Sequence, residues 1–224
     1  MRAIFGPPLQ NHRYPGDDVK QHFLARPFQL LTGVILGLAG VFLILRPGAN
    51  ETEVDPKQYV LSDPLPAPIF TLTSHRGEPV SSTDFPDRLL AVFFGYTFCP
   101  DVCPLTLSNL SLAFQELGEA ATRIQLLFIS VDPGRDTPER LGQYLAAFNA
   151  SFVGLTGAEE EIREVANAFG VFFARSGEGE DYTVDHTART FVIDPAGRIP
   201  LTFPVTATPE EMARDFTLLL GEFK

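Results

Sequence analysis

The sequence predicts an α/β fold, a mixed central sheet flanked by helices, and three observations predict it. Near-continuous apolar runs of strand length, "RLLAVFFGYTF" from Arg88 and "IQLLFISVD" ending at Asp132, suit strands covered on both faces. Each is followed by apolar residues at helical spacing, so strands and helices alternate. The chain then closes with "RTFVID" and "RIPLTF", joined at Pro195-Ala196-Gly197 as a tight hairpin, and one last helix.

Taken in order, residues 1–27 form a cytoplasmic tail and residues 28–45 a membrane anchor. The stretch "FQLLTGVILGLAGVFLIL" carries no charge between Arg26 and Arg46 and would span about 27 Å as a helix, close to the hydrocarbon thickness of a bilayer. Arg2, Arg13, Lys20 and Arg26 precede it, whereas only Arg46 and Lys57 follow closely. That asymmetry predicts a single-pass inner-membrane protein whose C-terminal domain lies on the periplasmic side. Residues 46–66, rich in Pro, Asp and Glu, read as a linker, and residues 67–224 as the globular domain.

Within that domain "PIFTLTSHRGEPVSSTDF" predicts a short hairpin turning at Arg76-Gly77, with His75 exposed on the turn and without a role. Cys103 and Pro104 open a helix bearing Leu107, Leu110, Phe114, Leu117 and Ala121 on one face. Thr137-Pro138 supplies an N-cap and first-turn proline for a helix with Leu141, Tyr144, Leu145 and Phe148 inward. "FVGLTG" is a brief strand, and Glu159 to Phe169 a helix burying Ile162, Val165, Ala166 and Phe169. Thr208 to Glu211 forms a capping box for the terminal helix with Met212, Phe216 and Leu219.

The formal net charge is −11 and the exported part has no basic cluster, which argues against nucleic acid. The acidic run "GEGEDYTVD" reads as a solvated loop. The chain has two cysteines, Cys99 and Cys103, in "YTFCPDVCP". Export allows them to form a disulfide, but so short a loop cannot staple a fold. No cysteine lies in or just after the apolar run, so the helix itself, not a lipid, is the expected tether.

A strand, a tight turn and a helix N-terminus make a setting in which thiols ionise, because unpaired N–H groups and the helix dipole favour the thiolate. The thiolate both attacks disulfides and binds metal, so a redox pair and a ligand pair both remain open. Dithiol oxidoreductases normally carry two residues between the cysteines, whereas Pro100, Asp101 and Val102 intervene here. In an α/β sandwich of this order, the loop entering the closing hairpin lies beside the first long helix, which lets His186 approach both sulfurs. Two thiolates and an imidazole suit copper in either oxidation state. Zinc would want a fourth ligand, from Asp132 or Asp101.

At these residues the chain resembles the Sco/SenC family of membrane-anchored copper chaperones. The resemblance runs from about Ala67 to Phe216 through "YTFCPDVCP", "ISVDPGRDTPERL", "VGLTG" and "DYTVDHTARTFVIDPAGR". It implies a thioredoxin-like fold and one copper ion held by Cys99, Cys103 and His186, with Asp132 and Asp101 as candidates for the surrounding shell. It also implies a role in assembling the binuclear CuA centre of cytochrome c oxidase. The partners would be the CuA-bearing subunit, another copper chaperone or a thiol reductase, and the membrane. Thiol oxidoreductases of that fold carry a cis-proline just before the strand matching "RTFVID", where this chain has Ala188. That favours copper ligation, with a reversible Cys99–Cys103 disulfide controlling it. An exported thiol-disulfide reductase serving a copper-site partner is the alternative. A thiol peroxidase is disfavoured, since no arginine sits in the immediate motif.

Overall fold

In the computed structural model, which describes residues 59–179 and 181–222, two long strands form the centre because their side chains are almost all apolar and the two polar ones, Gln125 and Ser130, find partners within the protein. Every residue of β4 (Leu89–Gly95) and of β5 (Ile124–Ser130) is buried. They pair in parallel, Leu89 opposite Ile124 through Gly95 opposite Ser130. Around them lie β1 (Val60–Pro66), β2 (Thr71–Ser74), β3 (Pro79–Ser81), β6 (Val153–Thr156), β9 (Arg189–Ile193) and β10 (Arg198–Pro204). The eight-stranded sheet has the order β1-β10-β9-β4-β5-β6-β2-β3. Strands β4, β5 and β6 are parallel, and the other pairings are antiparallel. This is the mixed sheet that the alternating pattern predicts.

Among the described residues four α-helices flank it: α1 (Val102–Leu117), α2 (Pro138–Ala146), α3 (Glu159–Ala168) and α4 (Pro209–Glu222). Neighbouring strand residues point to opposite faces, and the two central phenylalanines follow that rule. Phe93 meets Phe128, which in turn packs on Tyr144 of α2. Phe94 meets Phe169, which closes the end of α3. Helix α4 docks through Phe216 onto Phe114 of α1 and Phe203 of β10. The predicted caps form: Thr137 Oγ1 accepts from Arg140 N, while Thr208 and Glu211 cap each other's N–H groups.

Several expectations are corrected or extended. Val60–Pro66, inside the segment read as linker, forms edge strand β1 along β10. Its prolines hide it from a periodicity reading, but an edge strand tolerates proline because only one side pairs. The hairpin β9–β10 is therefore internal to the sheet. His75 is half-buried, not exposed: its Nδ1 accepts from Gly154 N at 3.0 Å and its N–H donates to the Gly154 carbonyl. Burial pushes its pKa down. The acidic run leads into a second, two-stranded sheet, β7 (Phe173–Ser176) with β8 (Thr183–His186), so its Thr183–Asp185 are strand and not loop.

The tail at 1–27 and the anchor at 28–45 lie outside the described residues. Among those described, no helix is long and apolar enough to cross a membrane.

Candidate metal centre

The cysteines sit where the central strand β4 runs out and α1 begins. Cys103, in the first turn of α1, is fully buried, and Cys99, in the preceding turn, is 9 % exposed. Gly95 makes this approach possible. A Cβ there would lie 2.9 Å from Cys103 Sγ and 2.8 Å from the Phe128 ring, so only glycine lets the sulfur rest against the strand. The turn is fixed from below by Asp136, a buried carboxylate that accepts from Thr97 N (3.1 Å), Thr97 Oγ1 (2.6 Å) and Ser130 Oγ (2.6 Å).

His186 arrives from the end of β8. One ligating atom from each of Cys99, Cys103 and His186 lies within 4.8 Å of the other two, and Cys103 Sγ is 3.4 Å from His186 Nε2. The imidazole is half-buried, edge-on to Tyr96 (5.9 Å) and Phe93 (6.4 Å). Its Nδ1 lies 3.3 Å from the Thr187 carbonyl, which can only accept, so Nδ1 carries a proton and Nε2 faces the sulfurs.

The two thiols are not equivalent. Cys103 donates its proton toward Cys99, and with help from His186 and then from the backbone N–H groups of Asp101 and Cys103 this holds the Cys99 thiol down to about 3, against the opposing effect of burial. Cys103 is pushed up by the same hydrogen bond and by its burial. The helix N-terminus thus acts on Cys99 as the sequence predicts, while Cys103 supplies the proton.

Of the two carboxylates considered as a fourth ligand, neither joins the group among the described residues. Asp101 is exposed at the start of α1 and acts through its backbone N–H. Asp132 is buried with both oxygens committed: Oδ2 to Arg135 Nε and Oδ1 to the Tyr182 hydroxyl, each at 2.5 Å. That leaves a three-ligand, sulfur-rich set, which suits low-coordinate copper better than tetrahedral zinc. Sequence reasoning missed Asp136, Tyr96 and Arg135. The tyrosine lies inside the cysteine motif, and its hydroxyl accepts from Val184 N on β8 at 3.2 Å. The two acid-turn residues carried a signal only in the polar "DPGRD", whose partners lie far along the chain. The structure also places arginines near the motif: Arg135 and Arg140 lie 4.4 and 3.9 Å from the Phe98 ring centroid.

A family model described as SCO1/SenC matches residues 63–221. The chain belongs to that family. The human mitochondrial SCO1 homolog is 35% identical over 203 residues, covering 85% of this chain and 66% of the human protein. A SCO2-like protein of Rickettsia conorii is 32% identical over 187 residues, 82% of this chain and 91% of that one. Among solved structures, Bradyrhizobium japonicum ScoI with copper bound is 37% identical, with a TM-score of 0.64 over 69% of this chain and 99% of that one. The SCO1/SenC fold is the thioredoxin-like α/β arrangement described above, and its match begins inside β1, the strand hidden in the sequence as linker.

Proposed function

We propose that this protein is a metallochaperone that binds one copper ion through Cys99, Cys103 and His186 and delivers it to the CuA centre of cytochrome c oxidase during assembly. The observation that carries the reading is the convergence of two sulfurs and one imidazole nitrogen within 4.8 Å. It is supported by membership of the SCO1/SenC family and by the copper held in the Bradyrhizobium relative. The recipient would be the CuA-bearing subunit, and the predicted anchor would hold the domain at the periplasmic face of the inner membrane.

In this role the chain's own groups divide the work. Cys99 is already disposed to the thiolate, and Cys103 gives up its proton when metal replaces it. The Nδ1–Thr187 contact aims Nε2. Copper supplies a soft acceptor for the sulfurs. Passage to a partner then proceeds by ligand exchange at Cys99, the more exposed sulfur. Oxidation of the pair to a disulfide, with two electrons passing to an external oxidant and the one remaining proton, on Cys103, released, removes both ligating sulfurs and closes the site to metal.

Anaerobic copper(I) titration of the full chain should saturate at one equivalent. His186→Ala should hold copper more weakly and lose the nitrogen signature from copper(II) spectra. A variant as tight as the parent would remove His186 from the ligand set.

A second reading, an exported thiol-disulfide reductase acting on the cysteines of a copper-site partner, is favoured by one observation: the asymmetry between a low-pKa Cys99 at the edge of the core and a fully buried, protonated Cys103. Cys103→Ser should then trap a mixed disulfide through Cys99 with an oxidised CuA-domain peptide, independently of His186. Absence of any adduct would set this activity aside.

A further inference from the structure

The β7–β8 hairpin that carries His186 is not part of the main sheet, so something other than ladder hydrogen bonds must hold it. Phe173, Tyr182 and Val184 pack it into the core, and one guanidinium adds a directed tie to the cysteine turn. Arg135, in the turn between β5 and α2, lies 3.5 Å from the centroid of the Tyr182 ring, beside β8, and 4.4 Å from that of Phe98, the residue before Cys99. The stack continues outward on both rings, with Arg175 3.9 Å from Tyr182 and Arg140 3.9 Å from Phe98.

The edge of the same guanidinium is used as well. Nε donates to Asp132 Oδ2 at 2.5 Å and Nη1 to the Tyr182 carbonyl at 3.0 Å, while the Tyr182 hydroxyl donates to Asp132 Oδ1 at 2.5 Å. The Arg135 and Asp132 side chains are only 16% and 3% exposed. Stacking and a planar fork together are something arginine does and lysine does not. A buried ion pair is a poor way to gain stability compared with apolar packing, so its use here points to fixing a geometry.

We propose that Arg135 is a positioning residue for His186. By stacking on Phe98 and Tyr182 and pairing with Asp132, it locks the histidine-bearing hairpin against the cysteine turn, so that the third ligand is in place before metal arrives. Arg135 touches none of the three ligating atoms and acts through the hairpin. This rests on the reading of His186 as the third copper ligand.

Two measurements on the full chain test it. In the metal-free protein, Arg135→Ala should speed amide hydrogen exchange across Thr183–His186 while leaving α1 protected. Unchanged exchange in β8 would overturn the proposal, and this arm decides even if wild type takes up no copper, the result that would instead sink the chaperone reading. With copper, Arg135→Ala should weaken retention by about 10- to 100-fold, as loss of an outer-shell partner does, and should erase the imidazole nitrogen signature. The same substitution in a His186→Ala background should add nothing further. An equal additional loss there would show that Arg135 acts elsewhere. Arg135→Lys keeps the charge but not the stack and should behave like Arg135→Ala; full recovery would show a simple charge effect and overturn positioning. Phe98→Leu, at a residue 41% exposed, removes one ring without threatening the fold and should shift both readouts in the same direction by less.

Discussion

The two halves of the metal centre are built differently. The cysteine side rests on the most buried strands of the molecule: Cys103 lies against Gly95 at the end of β4, on the face that carries the fully buried Phe93 and Phe128. The histidine side rests on a two-stranded sheet of four-residue strands, most of whose residues retain some exposure. The cysteines are positioned by the core, where close packing leaves one arrangement. His186 is positioned by fewer buried side chains, Phe173, Tyr182 and Val184, and by discrete ties: Tyr96 to Val184, Arg135 to Tyr182, and Tyr182 to Asp132. Local stability follows such density, so the hairpin should be the first part of the site to open.

The largest expected effect is on the rigid side. Gly95→Ala places a methyl group into Cys103 Sγ and Phe128. Overpacking of this kind costs about 1–3 kcal/mol, and because the sulfur must move, copper(I) retention should fall together with the denaturant midpoint. A variant with native stability and native copper binding would show that the cysteine floor is softer than its packing implies.

Tyr96→Phe tests the tie between the halves. It keeps the ring that packs edge-on to His186 but leaves Val184 N without its acceptor, at a cost of about 1–3 kcal/mol for the orphaned donor. The loss should be confined to hydrogen exchange in β8, with the global unfolding midpoint changing less. Equal loosening of α1 would erase the distinction between the halves.

The smallest effect concerns pH. Burial pushes the Asp136 carboxyl up. A carboxyl whose folded value lies above its unfolded one contributes stability that is complete below the unfolded value, about 3.9, and lost as pH rises through the folded one. The Tm of wild type relative to Asp136→Asn should therefore be greatest near pH 4 and decline toward pH 7, and a difference that grows with pH would contradict the assignment. Because Asp136 holds Thr97 and Ser130 beneath the cysteines, Asp136→Ala should instead lower stability at every pH.

The chain announces its strands and helices wherever one interaction dominates. Apolar runs in β4 and β5, the Thr137 and Thr208 caps, and the helical stripes of α1 and α3 are each legible because a local pattern reports burial or capping directly. β1 is not, since prolines and an aspartate mask a strand whose only partner is β10, far along the chain. The β7–β8 hairpin is hidden for a related reason: Tyr182 and Val184 are buried by contacts that no short window contains.

The sequence by itself therefore determined the alternating α/β order, the cysteine pair at a helix N-terminus, and His186 as the residue able to complete a soft ligand set. The tertiary structure decided that Cys99 and Cys103 differ in proton affinity, that Asp132 and Asp101 stay out of the ligand group, and that Arg135 bridges Phe98 and Tyr182. Those outcomes depend on distances between residues remote in the chain, where hydrogen-bond reach and desolvation, and not local propensity, set the result.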